Sequence, residues 1–69
     1  MTSVGKNLKW FREKQGWTQT KLADTSGVPQ TTISTIEHGA TPNVAITNKL
    51  AIALNISITQ LLNSEEVKE

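Results

Sequence analysis

Apolar residues recur at helical spacing in five short segments of the chain. Val4, Leu8 and Phe11 follow one another at intervals of four and three residues, with charged residues between them. This is the period of an amphipathic helix with one apolar side. It predicts a first helix from about Ser3 to Gln15, which Gly16 ends.

Start and stop residues divide the middle of the chain into two more short helices. Thr18 is a suitable N-cap for a second helix over about Gln19–Thr25, and Gly27 marks the turn that follows it. Pro29 suits the first turn of a third helix, because its missing N–H would have no partner there. We predict this third helix over about Pro29–His38.

The last third of the chain predicts two further helices. Asn43 can cap a fourth helix that runs to about Leu54, and Ser57 can cap a short fifth one. Thr47 falls on the inward side of the fourth helix, where its hydroxyl can bond to a carbonyl of the same helix. Val44, Leu50, Ala51 and Leu54 share one side of the fourth helix, and the fifth helix holds Ile58, Leu61 and Leu62.

These segments predict an all-α fold with a single small core. We expect one domain over residues 1–63, followed by a polar, acidic tail over residues 64–69. The chain has no cysteine, so packing between helices must supply the stability.

Composition excludes several classes of protein. No apolar run is long enough to span a membrane, and the N-terminus lacks the apolar core of a signal peptide, so we expect a cytoplasmic protein. His38 is the only histidine, which leaves scattered carboxylates as the remaining metal ligands. No set of residues forms a nucleophile, a base and an orienting group. We therefore expect no metal, no cofactor and no enzymatic activity.

The net charge of +1 averages two unlike parts. Residues 1–21 hold five cationic side chains against one acidic one, a charge of +4, whereas the rest of the chain carries −3. Such asymmetry favours a face that binds an anion. Ordinary solvation of the surface explains the charges equally well.

The second and third predicted helices are spaced like a helix-turn-helix. Ala23 is small where two helices must approach closely, and Gly27 can adopt a positive φ in the turn. Val28, Ile33 and Ile36 can pack the third helix onto the second. A generic helical hairpin needs no such combination.

From Val4 to Leu62 the chain resembles the Cro and phage-repressor type of helix-turn-helix domain, also called the xenobiotic-response-element type. The resemblance implies a compact five-helix, lambda-repressor-like fold with the helix-turn-helix at helices 2 and 3. It also implies sequence-specific binding of operator DNA, usually by a homodimer on a palindromic site. We expect a transcriptional regulator, a repressor, associated with the nucleoid when bound. The carrying residues are Val4-Gly5, Leu8, Arg12, Gly16-Trp17-Thr18-Gln19, Leu22-Ala23, Gly27-Val28, Ile33-Ser34, Ile36-Glu37-His38-Gly39, Pro42, Leu50-Ala51, Leu54 and Leu61-Leu62.

The resemblance assigns base reading to the exposed side of helix 3, at Gln30, Thr31, Ser34 and Thr35. Glutamine can pair with adenine through N6 and N7, and hydroxyls can bond to various base edges. From the residues alone, a solvated polar face is the stronger interpretation. With the whole family pattern, base reading becomes the stronger one.

Phosphate contacts are expected from helix N-termini and from scattered polar side chains. Unpaired N–H groups and the helix dipole favour an anion at the starts of helices 2 and 3. His38 is either a plain helix-end residue or a cation near a phosphate. The candidates are Thr18, Gln19, Lys6, Lys14, Lys21, His38 and Thr41.

Two further expectations concern structure and assembly. The resemblance implies that Arg12 pairs with Glu37 across helices 1 and 3, and we favour this pairing over the alternative that Arg12 is another surface cation. Trp10 and Ile52 are apolar residues at positions that a helical wheel predicts to be exposed. Such residues either belong to an interface or are ordinary surface residues. The resulting homodimer hypothesis uses Trp10, Ile52, Ile58, Leu61 and Val67.

A second hypothesis comes from another class of protein. The chain could be an antitoxin or adaptor module whose main partner is a protein surface. Binding to phosphates weakens steeply with salt, whereas apolar docking hardly responds. Salt dependence therefore separates the two hypotheses.

Overall fold

The computed structural model describes residues 4–63, which form five α-helices and no strand. The all-α, five-helix prediction is therefore confirmed. In this described part, no helix has the length and apolarity needed to cross a membrane. The helices are α1 (Val4–Lys14), α2 (Gln19–Ser26), α3 (Gln30–Glu37), α4 (Val44–Leu54) and α5 (Ile58–Leu62). Ser3, Val67 and the predicted tail of residues 64–69 lie outside the described residues.

Three of the predicted N-caps begin helices through side-chain hydrogen bonds. Thr18 Oγ1 accepts from the backbone N–H of Lys21 at 3.0 Å, and Asn43 Oδ1 does the same for α4 at 2.8 Å. Ser57 and Gln60 form a reciprocal pair, each side chain accepting from the other residue's backbone N–H. These bonds satisfy N–H groups that a helix start leaves without a partner.

The core takes side chains from all five helices and from the turn before α3. Its burial removes apolar surface from water, which is the main stabilising contribution in a domain without disulfides. The buried apolar residues are Leu8, Phe11, Leu22, Val28, Ile33, Ile36, Leu50, Ala51, Leu54 and Leu61.

Gly5 brings α1 against the end of α3. This glycine is buried, and a Cβ at its position would overlap the carbonyl oxygen of Ile36. A residue without a side chain is therefore required for this approach of two backbones. The contact brings the start of α1 against the C-terminal end of α3.

The inward side of α4 differs from the prediction at its first residue. Val44 is 77% exposed, whereas Leu50, Ala51 and Leu54 are buried as predicted. At 100° per residue, Val44 lies about 70° from the centre of the buried stripe, and it also occupies the first turn. Thr47 is buried as predicted, and its hydroxyl donates to the Asn43 carbonyl at 2.8 Å.

The structure changes the list of residues open to a second copy of the chain. Trp10, predicted to be exposed, is half-buried, because its ring packs on the core and edge-on against Phe11 at 5.0 Å between ring centroids. Leu61 is fully buried within one copy, so its assignment to an interface is wrong. Ile52 is 69% exposed, as predicted, and Ile58 is half-buried.

Candidate nucleic-acid interface

The turn between α2 and α3 is built from a glycine, a serine and a buried valine. Gly27 has φ of 76°, and its N–H donates to the Ala23 carbonyl at 2.9 Å. The next N–H, from Val28, donates to Ser26 Oγ at 3.1 Å, and the Val28 side chain is buried. A positive φ suits glycine, and the two bonds fix where α3 begins.

Pro29 precedes α3 and gives it no side-chain cap. Its carbonyl accepts from the backbone N–H groups of Thr32 and Ile33 at 3.0 and 3.1 Å. The helix therefore starts at Gln30, one residue after the predicted start.

The four predicted base-reading residues all lie on α3, away from its buried side. Ile33 and Ile36 point into the core, whereas Gln30, Thr31 and Thr35 are exposed. Ser34, the fourth predicted reader, is half-buried. Within α3 the only charged residue is Glu37, at its end. The helix thus offers an uncharged polar face to a ligand.

Arg12 and Glu37 form the ion pair that the resemblance implies. The guanidinium donates from Nε to Glu37 Oε2 at 2.8 Å and from Nη2 to Oε1 at 2.9 Å. Nη1 donates to the Trp17 carbonyl at 2.6 Å. The hydrogen bond with Glu37 raises the pKa of Arg12 further above its ordinary value, against the opposing effect of burial. The pair joins α1 to α3 and is largely shielded, with side chains 10% and 4% exposed.

Gln19 extends this ion pair to the exposed face of α3. Its Nε2 donates to Glu37 Oε1 at 3.1 Å, and its Oε1 accepts from Gln30 Nε2 at 2.8 Å. Sequence reasoning assigned Gln19 to phosphate binding and did not foresee this bridge. The sequence feature that could have indicated the bridge is the glutamine at the first position of both α2 and α3.

The Thr35 hydroxyl is engaged by its own helix. Oγ1 lies 2.9 Å from the carbonyl oxygens of both Thr31 and Thr32, to which it can only donate. While these bonds persist, Thr35 offers a base its methyl group and an acceptor oxygen, but no proton.

Five of the seven predicted phosphate-binding residues lie around the two ends of the helix-turn-helix, and the other two, Lys6 and Lys14, lie on α1. Thr18, Gln19 and Lys21 are at the start of α2, whereas His38 and Thr41 follow α3. Nδ1 of the His38 ring lies 2.7 Å from the carbonyl oxygen of Ser34. Because a carbonyl only accepts, Nδ1 carries a proton there, and Nε2 faces away from this bond.

Two of the predicted lysines rest on tryptophan rings. Lys14 Nζ lies 4.6 Å from the centroid of the Trp10 ring, and Lys21 Nζ lies 5.7 Å from that of Trp17. Both distances are within the range of a cation–π contact, which holds an exposed cation without neutralising it. Among residues 4–63, no three histidine or carboxylate groups cluster as a metal site would require.

Sequence comparison identifies the family. The helix-turn-helix family profile matches residues 8–61, which is most of the chain. The competence pilus inhibition repressor of Acinetobacter baylyi is 39% identical over 59 residues, covering 84% of this chain and 54% of the repressor. The antitoxin HipB of Escherichia coli O6:H1 is 35% identical over 60 residues, covering 84% of this chain and 63% of HipB. The chain thus spans less than two-thirds of each relative.

Structural comparison agrees with the sequence. The crystal structure of SinR, a biofilm regulator, in complex with DNA superposes with a TM-score of 0.80 at 27% identity, covering 84% of this chain and 95% of that one. The complex of SinR with SinI gives a TM-score of 0.82 at 26% identity, covering 96% and 67%. The family that these proteins represent is not enzymatic. The chain belongs to the helix-turn-helix family of DNA-binding transcription regulators, of the Cro and phage-repressor type.

Proposed function

We propose that this protein is a sequence-specific transcriptional regulator, a repressor, that inserts α3 into the major groove of double-stranded operator DNA. The observation that carries the proposal is the uncharged polar face of α3, exposed on a helix fixed by core packing and by an ion pair. A relative named as a repressor and the SinR complex with DNA support it. Such a protein acts in the cytoplasm, at the nucleoid.

The proposed readers are Gln30, Thr31, Ser34 and Thr35. Gln30 pairs with adenine, and the Thr35 methyl, whose hydroxyl is turned to its own helix, packs on a thymine methyl. No arginine is available on α3 for guanine. The contacted positions should therefore be rich in A·T pairs.

The charges that hold the DNA backbone come from outside α3. Lys6, Lys14 and Lys21 supply cations, and His38 follows α3, with its Nδ1 2.7 Å from the Ser34 carbonyl oxygen. Thr18 and Gln19 lie at the start of α2, and Thr41 lies in the loop between α3 and α4. Hydroxyl, amide and backbone N–H groups at these places can meet phosphate oxygens. Because these residues contact the phosphates, the exposed face of α3 can contact the bases.

The operator is a palindrome bound by two copies of the chain. The exposed apolar side chain of Ile52 supports a homodimer, with Ile58 and Trp10, both half-buried, at the margin. Val67, outside the described residues, is the remaining candidate. Sedimentation at micromolar concentration with operator present should give the mass of two chains on one duplex. One chain per duplex under the same conditions contradicts the dimer.

A protein partner is the second candidate function, because relatives include an antitoxin and a regulator solved with SinI. Binding to a duplex should weaken log-linearly with salt, by about 0.9 logarithmic units per tenfold salt for each phosphate contacted. Titrating the affinity between low and physiological salt measures this slope. A slope near zero, or no binding to DNA at low salt, would favour the protein-partner function.

A further inference from the structure

Two tryptophan–lysine pairs with the same spacing lie in the basic first third of the chain. Lys14 follows Trp10 by four residues on α1, and Lys21 follows Trp17 by four residues at the start of α2. Each ammonium lies over the ring of its tryptophan, at 4.6 and 5.7 Å from the centroid. The two pairs occupy opposite ends of their helices, so their charges act differently on stability.

The helix dipole favours Lys14 and disfavours Lys21. Lys14 lies in the last turn of α1, where a cation complements the negative end of the dipole. Lys21 is the third residue of α2, whose first turn contains no acidic residue. A cation there opposes the positive end of the dipole, and this loss is similar in size to the gain from contact with the ring. Stability of the free domain therefore does not explain the charge of Lys21.

Trp17 is fixed relative to α3. Its backbone N–H donates to the Arg12 carbonyl at 3.0 Å, and its carbonyl accepts from Arg12 Nη1 at 2.6 Å. The same guanidinium donates twice to Glu37 at the end of α3. The Trp17 side chain is half-buried and packs against the core. The ring is thus a rigid surface whose position depends on the ion pair that joins α1 to α3.

The Trp17 ring restricts an otherwise mobile cation. Lys21 is exposed, and a lysine side chain loses rotamer entropy when a bound phosphate immobilises it. Its backbone N–H donates to Thr18 Oγ1 at 3.0 Å. Because Trp17 precedes α2, an ammonium over its ring lies back towards the start of the helix. Part of the entropy loss has therefore occurred before any phosphate binds.

The start of α2 lies beside the start of α3, because the side chains of Gln19 and Gln30 are joined by a hydrogen bond of 2.8 Å. An α-helix nearly fills the width of the major groove. The phosphates that border the groove must therefore pass the segments next to α3. The start of α2, with the Lys21 ammonium, is one such segment.

We propose that Trp17 is a positioning residue for DNA binding, which holds the Lys21 ammonium where a phosphate of the operator backbone can bind it. Trp17 acts through Lys21 and touches no nucleotide. This inference rests on the proposed function, since it concerns the duplex that α3 enters.

A double-mutant cycle tests the proposal, with affinity measured for an operator selected from a randomised duplex library. At about 0.15 M salt, Lys21→Gln should weaken binding about fivefold for each bound chain and reduce the salt slope by about 0.9. In the Trp17→Leu background the same substitution should weaken binding only about twofold, because a lysine without the ring pays more entropy on binding. A purely structural role of Trp17 would leave the factor for Lys21→Gln equal in both backgrounds.

Two control variants make the result specific. Lys9→Gln removes an exposed cation of α1, and it should leave the salt slope unchanged. Lys21→Arg should preserve the dependence on Trp17, because a guanidinium keeps the charge and stacks on an aromatic face. Thermal unfolding establishes that each variant is folded.

A change of the ring's electrons replaces Trp17→Leu if that variant does not fold. The chain has two tryptophans, so fluorinated tryptophan in a Trp10→Phe chain labels position 17 alone. Fluorine keeps the shape of the side chain but weakens the attraction of the ring for a cation. Operator affinity should fall by about twofold with Lys21 present, and it should not change in the Lys21→Gln variant.

The outcomes separate this inference from the proposed function. If the unmodified protein selects no operator, the proposed function fails and the inference fails with it. If an operator is selected but Lys21→Gln leaves affinity and salt slope unchanged, the inference is overturned while the proposed function stands. Equal factors for Lys21→Gln with and without the Trp17 ring also overturn it.

Discussion

Replacing Arg12 with alanine should lower the free energy of unfolding by about 3–5 kcal/mol, because it leaves a buried charge without its partner. The Glu37 carboxylate, 4% exposed, would lose both bonds from the guanidinium. The Trp17 carbonyl would lose its donor as well. A single core in a domain of this size rarely supplies more than about 3–5 kcal/mol. Arg12→Ala should therefore be close to unfolded at room temperature.

Urea denaturation followed by circular dichroism measures this loss. Lys9→Ala is the matched control, since Lys9 is an exposed cation of the same helix, and it should change stability by less than about 0.5 kcal/mol. The stability of Arg12→Lys should lie between those of the two alanine variants. An ammonium keeps the positive charge but cannot form the bidentate hydrogen bonds of a guanidinium. Equal stability of Arg12→Ala and Lys9→Ala would contradict the burial of the pair.

Leu50→Ala should destabilise the domain by about 2–5 kcal/mol, through lost apolar contact and the cavity left behind. Leu50 is fully buried in the core on α4. Val44→Ala, on the same helix, should cost less than about 0.5 kcal/mol, because Val44 is 77% exposed. The sequence pattern placed both residues on the inward side of the helix and so predicts similar losses of stability. The structure predicts a loss for Leu50→Ala alone.

The same denaturation experiment compares the two α4 variants directly. If Leu50→Ala and Val44→Ala shift the urea midpoint by similar amounts, Val44 is packed against the domain or against another copy of the chain. Repeating the measurement at two protein concentrations distinguishes these cases, since only stabilisation through association depends on concentration.

Helix number and helix starts could be predicted because they depend on neighbouring residues. Thr18, Asn43 and Ser57 cap helices with their own side chains, and Gly27 takes the positive φ that the turn requires. Burial at the edges of helices depends on which element lies opposite. The periodicity of α4 therefore could not show that Val44 lies outside the core.

The candidate site, too, could be predicted from the sequence only in part. The polar side of α3 follows from the spacing of Ile33 and Ile36, and the family resemblance correctly paired Arg12 with Glu37. The bridge through Gln19 depends on the angle between α2 and α3, which no local pattern contains. Trp10 likewise packs inward because Phe11 and the core lie within reach of its ring.

The most direct test of the central claim is to select bound duplexes from a randomised library at about 0.15 M salt. The proposed function predicts an enriched palindrome, rich in A·T under Gln30 and Thr31, with half-site centres about one helical turn apart. Enrichment of G·C pairs at those positions would contradict the assigned reading by α3. Absence of any enriched sequence, with only salt-sensitive background binding, would contradict the claim that α3 reads DNA.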